Sequence, residues 1–287
     1  MRLPLDKTTP SIGIILPDTP GWRNGIRATL RSLWGQPCKS SSLFPGILSP
    51  SSQGIFVNPK QIAAERAVSY VQSGMTLGLG TGSTAAYAIH ALGQRFQKED
   101  LELRCVATSH ASEELGLTYG LRFVDHAEVR RFDITIDGAD EVDPDLRLIK
   151  GGGGALVREK IVAAATDTEI IIVDSSKVKP ALGVHPLPVA IFPFAWQWTQ
   201  ARIEETFSVA APLRLLSSGQ PFLSDDGLSL LDIAFGAPLI SPDTLESALK
   251  TIVGVAEVGL FIGHCQRLII GFADGHIEEK AAPARKG

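Results

Sequence analysis

Between Asp137 and Lys160 the chain reads DGADEVDPDLRLIKGGGGALVREK, with five acidic residues ahead of Lys150, then four consecutive glycines, then Glu159. Carboxylates, an ammonium group and bare backbone in one span suit chemistry better than packing, because glycine buries no side chain and loses the most freedom on ordering. Carboxylates accept and return protons, and an ammonium offsets charge that develops on oxygen.

Asp137 and Asp140 follow the apolar run FDITI, three positions apart, and Gly138 and Ala139 between them are small enough to let a ligand approach the backbone. Such acceptors suit sugar hydroxyls, a magnesium ion or an acidic helix cap, and spacing leaves all three open. Lys150 precedes Gly151, Gly152, Gly153 and Gly154, a run that no ordinary helix start requires. The helix expected from about Ala155 carries Val157, Ile161 and Ala164 at i, i+4 and i+7, so these should face the core and leave Glu159 and Lys160 off the apolar stripe. Glu159 is then either a solvated helix carboxylate or a group reaching over a ligand held at the glycine turn.

A second glycine-rich turn, GLGTGSTA from Gly78 to Ala85, brings a short apolar run to a helix start. There the unpaired N–H groups, the positive helix end and the hydroxyls of Thr81, Ser83 and Thr84, around Gly82, suit a phosphate. The dinucleotide spacing G-x-G-x-x-G is not met and no Walker lysine follows, so a capped strand-to-helix turn is the plain alternative. Further along, Ser175, Ser176 and Lys177 follow EIIIVD and suit an anionic or hydroxylated ligand. Lys60 is another candidate cation; for either lysine the alternative is a solvated surface position.

The elements that must hold these groups follow from the alternation of patterns. MTLGLG, LRCVAT, RFDITIDG and EIIIVD read as strands, and PKQIAAERAVSYVQ (stopped by Gly74), TGSTAAYAIHALGQRF and GALVREKIVAAAT as helices. Apolar strands alternating with helices imply a Rossmann-like α/β fold, a parallel sheet with helices on both faces, with ligands at the carboxyl ends of the strands. After Pro186 the pattern changes to PLPVAIFPFAW, PLRLL and a hairpin signal at Asp226-Gly227, which reads as a smaller α+β domain. The expected division is residues 1–54 as an extension, 55–185 with 256–280 as the main α/β domain, and 186–255 as the smaller one.

At 287 residues and 44% hydrophobic, the chain can bury a substantial core, and a net charge of −4 supplies no global attraction to nucleic acid or anionic lipid. Its apolar runs fall short of the roughly 20 residues that a membrane span needs. The three cysteines fit neither a disulfide framework nor a zinc site, the six histidines show no metal spacing, and no G-x-S-x-G elbow is present. These features point to a small-molecule enzyme of a reducing compartment, with no metal, no nucleic acid and no membrane partner. Residues 1–54 are basic, acid-poor and Ser-rich, which suits either a transit segment or an unstructured tail. The location is then cytoplasmic, or a plastid or other organelle if that segment targets the chain.

In their order and separations, GLGTGSTA, DGADEVDPDLRLIKGGGGALVREK, DSSKVKPALG and PLPV closely resemble ribose-5-phosphate isomerases of the A type, from about Lys60 to about Gly275. The resemblance implies reversible interconversion of D-ribose 5-phosphate and D-ribulose 5-phosphate, with no metal or organic cofactor, by a homodimer or homotetramer. It implies substrate binding by Thr81, Gly82, Ser83, Thr84, Asp137, Gly138, Ala139, Asp140, Lys150, Gly151, Gly152, Gly153 and Lys177, with Lys60 near the phosphate and Glu159 as proton acceptor. Two departures stand out: the N-terminal extension, and Ala190 where the family commonly carries an acid.

The residue types fit that chemistry. Moving hydrogen between C1 and C2 of an open-chain sugar needs a base that removes a proton beside a carbonyl and returns it to the neighbouring carbon, and one carboxylate can do both. In this reading Glu159 is the base, Lys150 stabilises charge on oxygen, and Asp137 and Asp140 orient hydroxyls and assist ring opening. A non-catalytic sugar-phosphate sensor would keep the phosphate turn and dispense with the base. An amino-sugar-phosphate deaminase or a coenzyme A transferase would need a different catalytic series.

Overall fold

The structure is a computed structural model and describes residues 57–236 and 238–282. The expectations for residues 1–54 lie outside the described residues.

The first half builds the face that carries the turns. Helix α1 (Pro59–Val68) starts where Asn58 accepts the Lys60 N–H and Pro59 takes a first-turn position. It ends six residues before Gly74, because Tyr70 and Val71 bond back to Ala67 and Val68 and tighten the chain out of the helix. Strand β1 (Thr76–Leu79), helix α2 (Ser83–Lys98), strand β2 (Arg104–Ala107) and helix α3 (His110–Thr118) follow, then strand β3 (Phe132–Gly138). Two short strands, β4 (Glu141–Val142) and β5 (Leu148–Ile149), lead into helix α4 (Leu156–Ala164) and strand β6 (Thr166–Asp174).

The second half contains strand β7 (Leu187–Ile191), helix α5 (Trp196–Phe207), strand β8 (Ser229–Ile233), helix α6 (Pro242–Lys250) and strand β9 (Val255–Val258). Strands β10 (Leu260–Phe261), β11 (Arg267–Gly271) and β12 (Ile277–Ala281) close the described chain.

The main sheet has the order β12-β11-β6-β3-β1-β2, parallel except for β12. The chain leaves β1 for β2 on one side and returns to β3 on the other, so the order reverses between β1 and β3. That reversal opens a crevice at the strands' carboxyl ends. Side-chain alternation then decides what faces which helix. Leu77, Leu79, Ile134, Ile136, Ile170 and Ile172 pack under α1 and α2 with Ala63, Ala67, Ile89 and Leu92. The opposite face of β6 supplies Ile171 and Val173, which pack with Leu156 and Ala163 of α4. By the same period of two, Asp137 of β3 lies on the α4 side.

The smaller unit is an antiparallel sheet β8-β7-β9 whose apolar side chains pack with those of α5 and α6. The expected boundary at 255/256 needs correction: it cuts through β9, which pairs with β7 because its apolar side chains complete this second core. Strand β11, by contrast, pairs with β6 in the main sheet. Strands β4, β5 and β10 form a third small sheet that joins the Asp137–Lys150 segment to the chain after β9. Ala190 is buried in β7, the middle strand of its sheet.

Candidate active site

The phosphate-type turn forms where β1 ends. Gly80 must lack a side chain, since a Cβ there would collide with the Asp137 carboxylate packed against it. Gly82, at φ +96°, caps α2 with no side-chain bond, and its carbonyl accepts the Ala86 N–H. Among the described residues no bond occupies the Ser83 and Thr84 N–H groups, which stand at the positive end of the helix. Asp137 Oδ1 accepts the Thr81 N–H at 3.1 Å, and the Thr81 hydroxyl is 2.7 Å from that of Thr108. Helix α1 brings Lys60, whose ammonium donates to Ser83 Oγ at 3.0 Å. The turn thus offers a tetrahedral anion amides, hydroxyls and an ammonium.

A buried charge cluster lies beside the turn. Lys150 Nζ donates to the Gly138 carbonyl at 2.6 Å, stands 2.9 Å from Asp137 Oδ2 and lies 3.6 Å from Glu159 Oε1. Asp137, Lys150 and Glu159 are 1%, 3% and 5% exposed. Asp137 spends its other oxygen on the Thr81 and Gly138 N–H groups, so it is fully engaged. Glu159 Oε2 is buried with no hydrogen-bond partner among the described residues.

Burial pushes the Glu159 carboxyl up to about 8, Lys150 pulls against that rise, and Asp137 and Asp140 add to it. A carboxylate beside an ammonium is ordinarily held low. Here the nearer Asp137 already balances Lys150, so the attraction left for Glu159 does not repay its loss of water. Lys150 behaves in the opposite way: burial lowers it, but Asp137 and Glu159 overcome that and hold it above the ordinary lysine range.

The phase of α4 corrects the expected stripe. The helix buries Leu156, Glu159, Lys160, Val162 and Ala163, whereas Ile161 is 65% exposed and Ala164 is also outside. The cause is Lys160, whose ammonium donates to Glu246 at 2.7 Å, Glu257 at 2.9 Å and the Val258 carbonyl at 2.7 Å. Those bonds tie α4 to α6 and β9 and turn Glu159 inward.

Asp140 Oδ2 accepts the Gly152 N–H at 2.7 Å, joining the two carboxylate-bearing segments. A cleft of about 230 Å3 is lined by Lys60, Thr81, Gly82, Ser83, Thr84, Gly138, Ala139, Asp140, Lys150, Gly151, Gly152, Gly153, Glu159 and Lys177. Asp137 sits beneath it, against Lys150. Ser175 and Ser176 do not line it; Asp174 caps their turn by accepting the Ser176 N–H at 3.0 Å. No group of three or more His, Cys, Asp or Glu among the described residues is placed to hold a metal ion.

Three contributors escape sequence reading. Arg214 and Phe222 of the smaller unit touch the glycine turn, and Glu169 of β6 lies buried beside Thr135 on the α4 side of the sheet. Burial first, then Asp137 nearby, keeps the Glu169 carboxyl well above the ordinary range. Nothing in local spacing marks any of the three.

The family model for ribose 5-phosphate isomerase A (phosphoriboisomerase A) matches residues 104–275. A ribose-5-phosphate isomerase A of Jannaschia sp. (strain CCS1) is 46% identical over 225 residues, 76% of this chain and 85% of the relative. Among solved structures, ribose 5-phosphate isomerase A from Methanocaldococcus jannaschii superposes with a TM-score of 0.73 at 34% identity, covering 77% of this chain and 97% of the other. A D-ribose-5-phosphate isomerase in complex with phospho-erythronic acid matches with the same TM-score of 0.73, at 34% identity over 77% of this chain and 97% of that one.

Proposed function

The chain belongs to the ribose 5-phosphate isomerase A family and interconverts D-ribose 5-phosphate and D-ribulose 5-phosphate, and from that premise we propose that Glu159 carries the proton between C1 and C2. The observation that supports this most strongly is the Glu159 carboxyl itself: buried, one oxygen without a partner among the described residues, and pushed up to about 8. A base raised toward neutrality takes a proton from carbon more readily than an ordinary carboxylate and still gives it back.

In the aldose-to-ketose direction the open-chain sugar lies with its phosphate at the Thr81–Thr84 turn, held by amides, hydroxyls and Lys60. Lys177 lines the same cleft. Glu159 removes the proton from C2, the electron pair forms the C1–C2 double bond of an enediolate, and negative charge moves to O1. The buried Lys150 ammonium and the N–H groups of the Gly151–Gly153 turn offset that charge. Glu159 then gives its proton to C1, while the O2 hydroxyl proton passes to O1. Asp140, with Oδ1 outside its Gly152 bond, is placed to orient the hydroxyls and accept the proton released on ring opening. Asp137 holds Lys150 and the phosphate turn in register. The remote phosphate supplies binding energy that fixes the reacting carbons against Glu159.

The relative cited above is a D-ribose-5-phosphate isomerase in complex with phospho-erythronic acid, whose carboxylate resembles an enediolate in carrying negative charge on two oxygens, which supports catalysis over sensing. The test is a coupled assay for ketose formed from ribose 5-phosphate, with and without chelator. Ketose at equal rates in both arms is the expected result; no turnover, or turnover abolished by the chelator, would overturn the reading.

Self-association as a homodimer or homotetramer is the second part of the proposal. An open apolar groove beside α5 and the turn after α6 displays Phe192, Phe194, Trp198 and Val253, the last three 87%, 76% and 94% exposed. Apolar surface of that kind supports a partner surface of the same chain.

A further inference from the structure

We propose that Arg214 is a positioning residue of this site: braced by Asp232, its guanidinium sets the peptide planes of the Gly151–Gly153 turn so that their N–H groups face Asp140 and the reacting end of the sugar. The inference rests on the reading that this turn holds the reacting end.

Glycine peptides rotate at little steric cost, so a run of four needs restraint from outside itself. The run closes one bond of its own, from the Gly154 N–H to the Gly151 carbonyl at 2.9 Å, and two restraints from outside act on opposite sides of it. Arg214 Nη1 donates to the Gly151 and Gly152 carbonyls, each at 3.1 Å. A trans peptide points its N–H opposite to its C=O. With the Gly151 carbonyl on the guanidinium, the Gly152 N–H of the same peptide turns the other way, to Asp140. The next peptide has its carbonyl on the same guanidinium, so the Gly153 N–H also points away from Arg214. Gly153 lines the cleft, and its N–H makes no hydrogen bond among the described residues.

The guanidinium is itself held. Arg214 Nε donates to Asp232 Oδ2 at 2.8 Å and Nη2 to Oδ1, a two-pronged pair that fixes the plane. Its carbon lies 5.7 Å from the centre of the Phe222 ring, and the same ring packs where a Gly154 side chain would stand. An ionised donor on the carbonyl side polarises each peptide and makes its N–H a stronger donor. The Gly152 N–H fixes Asp140, and the Gly153 N–H is left to meet charge that gathers on the enediolate oxygens. A lysine would supply charge without the fork that reaches two carbonyls and Asp232 at once.

The test compares Arg214→Ala, Arg214→Lys and Asp232→Asn with the full-length enzyme, using kcat, KM, and inhibition by phospho-erythronic acid and by inorganic phosphate. Arg214→Ala should lower kcat about 10- to 100-fold, the usual effect of removing a group that orients a site residue, with Arg214→Lys and Asp232→Asn between it and wild type. Affinity for phospho-erythronic acid should fall with kcat, and affinity for inorganic phosphate should hold within about twofold, because the other turn is untouched. A kcat within about twofold of wild type in the Ala and Lys variants, or phosphate affinity falling in step with kcat, would overturn the inference. If Arg214→Ala does not fold, Arg214→Lys keeps the stem against Phe222 and carries the same comparison. Glu159→Gln separates the two levels: if it is fully active the reading of the site fails, and if it is inactive while the Arg214 variants are normal only this inference fails.

Discussion

Glu159 Oε1 lies 3.6 Å from Lys150 Nζ, while the second carboxylate oxygen is buried with no hydrogen-bond partner among the described residues. The pair is uneven, because Lys150 is engaged more closely by Asp137 at 2.9 Å and by the Gly138 carbonyl at 2.6 Å. Lys150 therefore keeps its charge, and Glu159 keeps a proton affinity near neutrality and one oxygen directed at no protein donor. Such an arrangement costs the fold stability and serves proton transfer.

The first prediction concerns rate against pH. Burial pushes Glu159 up to about 8, so its base form grows as pH rises through that value. The kcat/KM for ribose 5-phosphate should climb along a limb well above the ordinary carboxylate value of about 4.3 and separate from the substrate phosphate's ionisation near about 6. A profile that is flat above pH 7 would contradict this.

The second concerns stability, with the opposite sign. A carboxyl raised on folding from 4.5 to about 8 contributes stability that is fully present below the lower value and is lost as pH rises through the upper one. Glu159→Gln, neutral throughout, should match wild type near pH 5 and melt several degrees higher above pH 8, at about 2–4 °C per kcal/mol for a chain of this size. Glu169→Gln should shift Tm in the same direction. A lower Tm for Glu159→Gln in alkaline thermal scans would remove the basis for the raised carboxyl.

Much of this site was legible before any coordinates. The turn GLGTGSTA and the Gly151–Gly154 run mark backbone suited to a ligand, and Asp137 and Asp140 stand at the end of the run FDITI. The phase of α4 was not legible. Val157, Ile161 and Ala164 form a fair helical stripe, yet Ile161 faces solvent because Lys160 is satisfied by Glu246 and Glu257, 86 and 97 residues further along. A local pattern carries no information about partners that distant. Arg214 escaped for the same reason: within PLRLL nothing connects it with glycines 62 and 63 residues earlier.

The third prediction tests the apolar groove. Phe194→Glu with Trp198→Glu should convert the proposed homodimer or homotetramer to a monomer in sedimentation, because a charge in an apolar contact is left unpaired. An unchanged sedimentation coefficient would place the subunit contact elsewhere.

The most direct test of the account is cleavage of the C2–deuterium bond of [2-²H]ribose 5-phosphate, followed by NMR for wild type and Glu159→Gln. The account predicts a fall of about 10²- to 10⁴-fold in the variant, with a normal melting profile near pH 5 and unchanged affinity for inorganic phosphate. Cleavage by Glu159→Gln at a rate close to wild type would show that another group takes the proton.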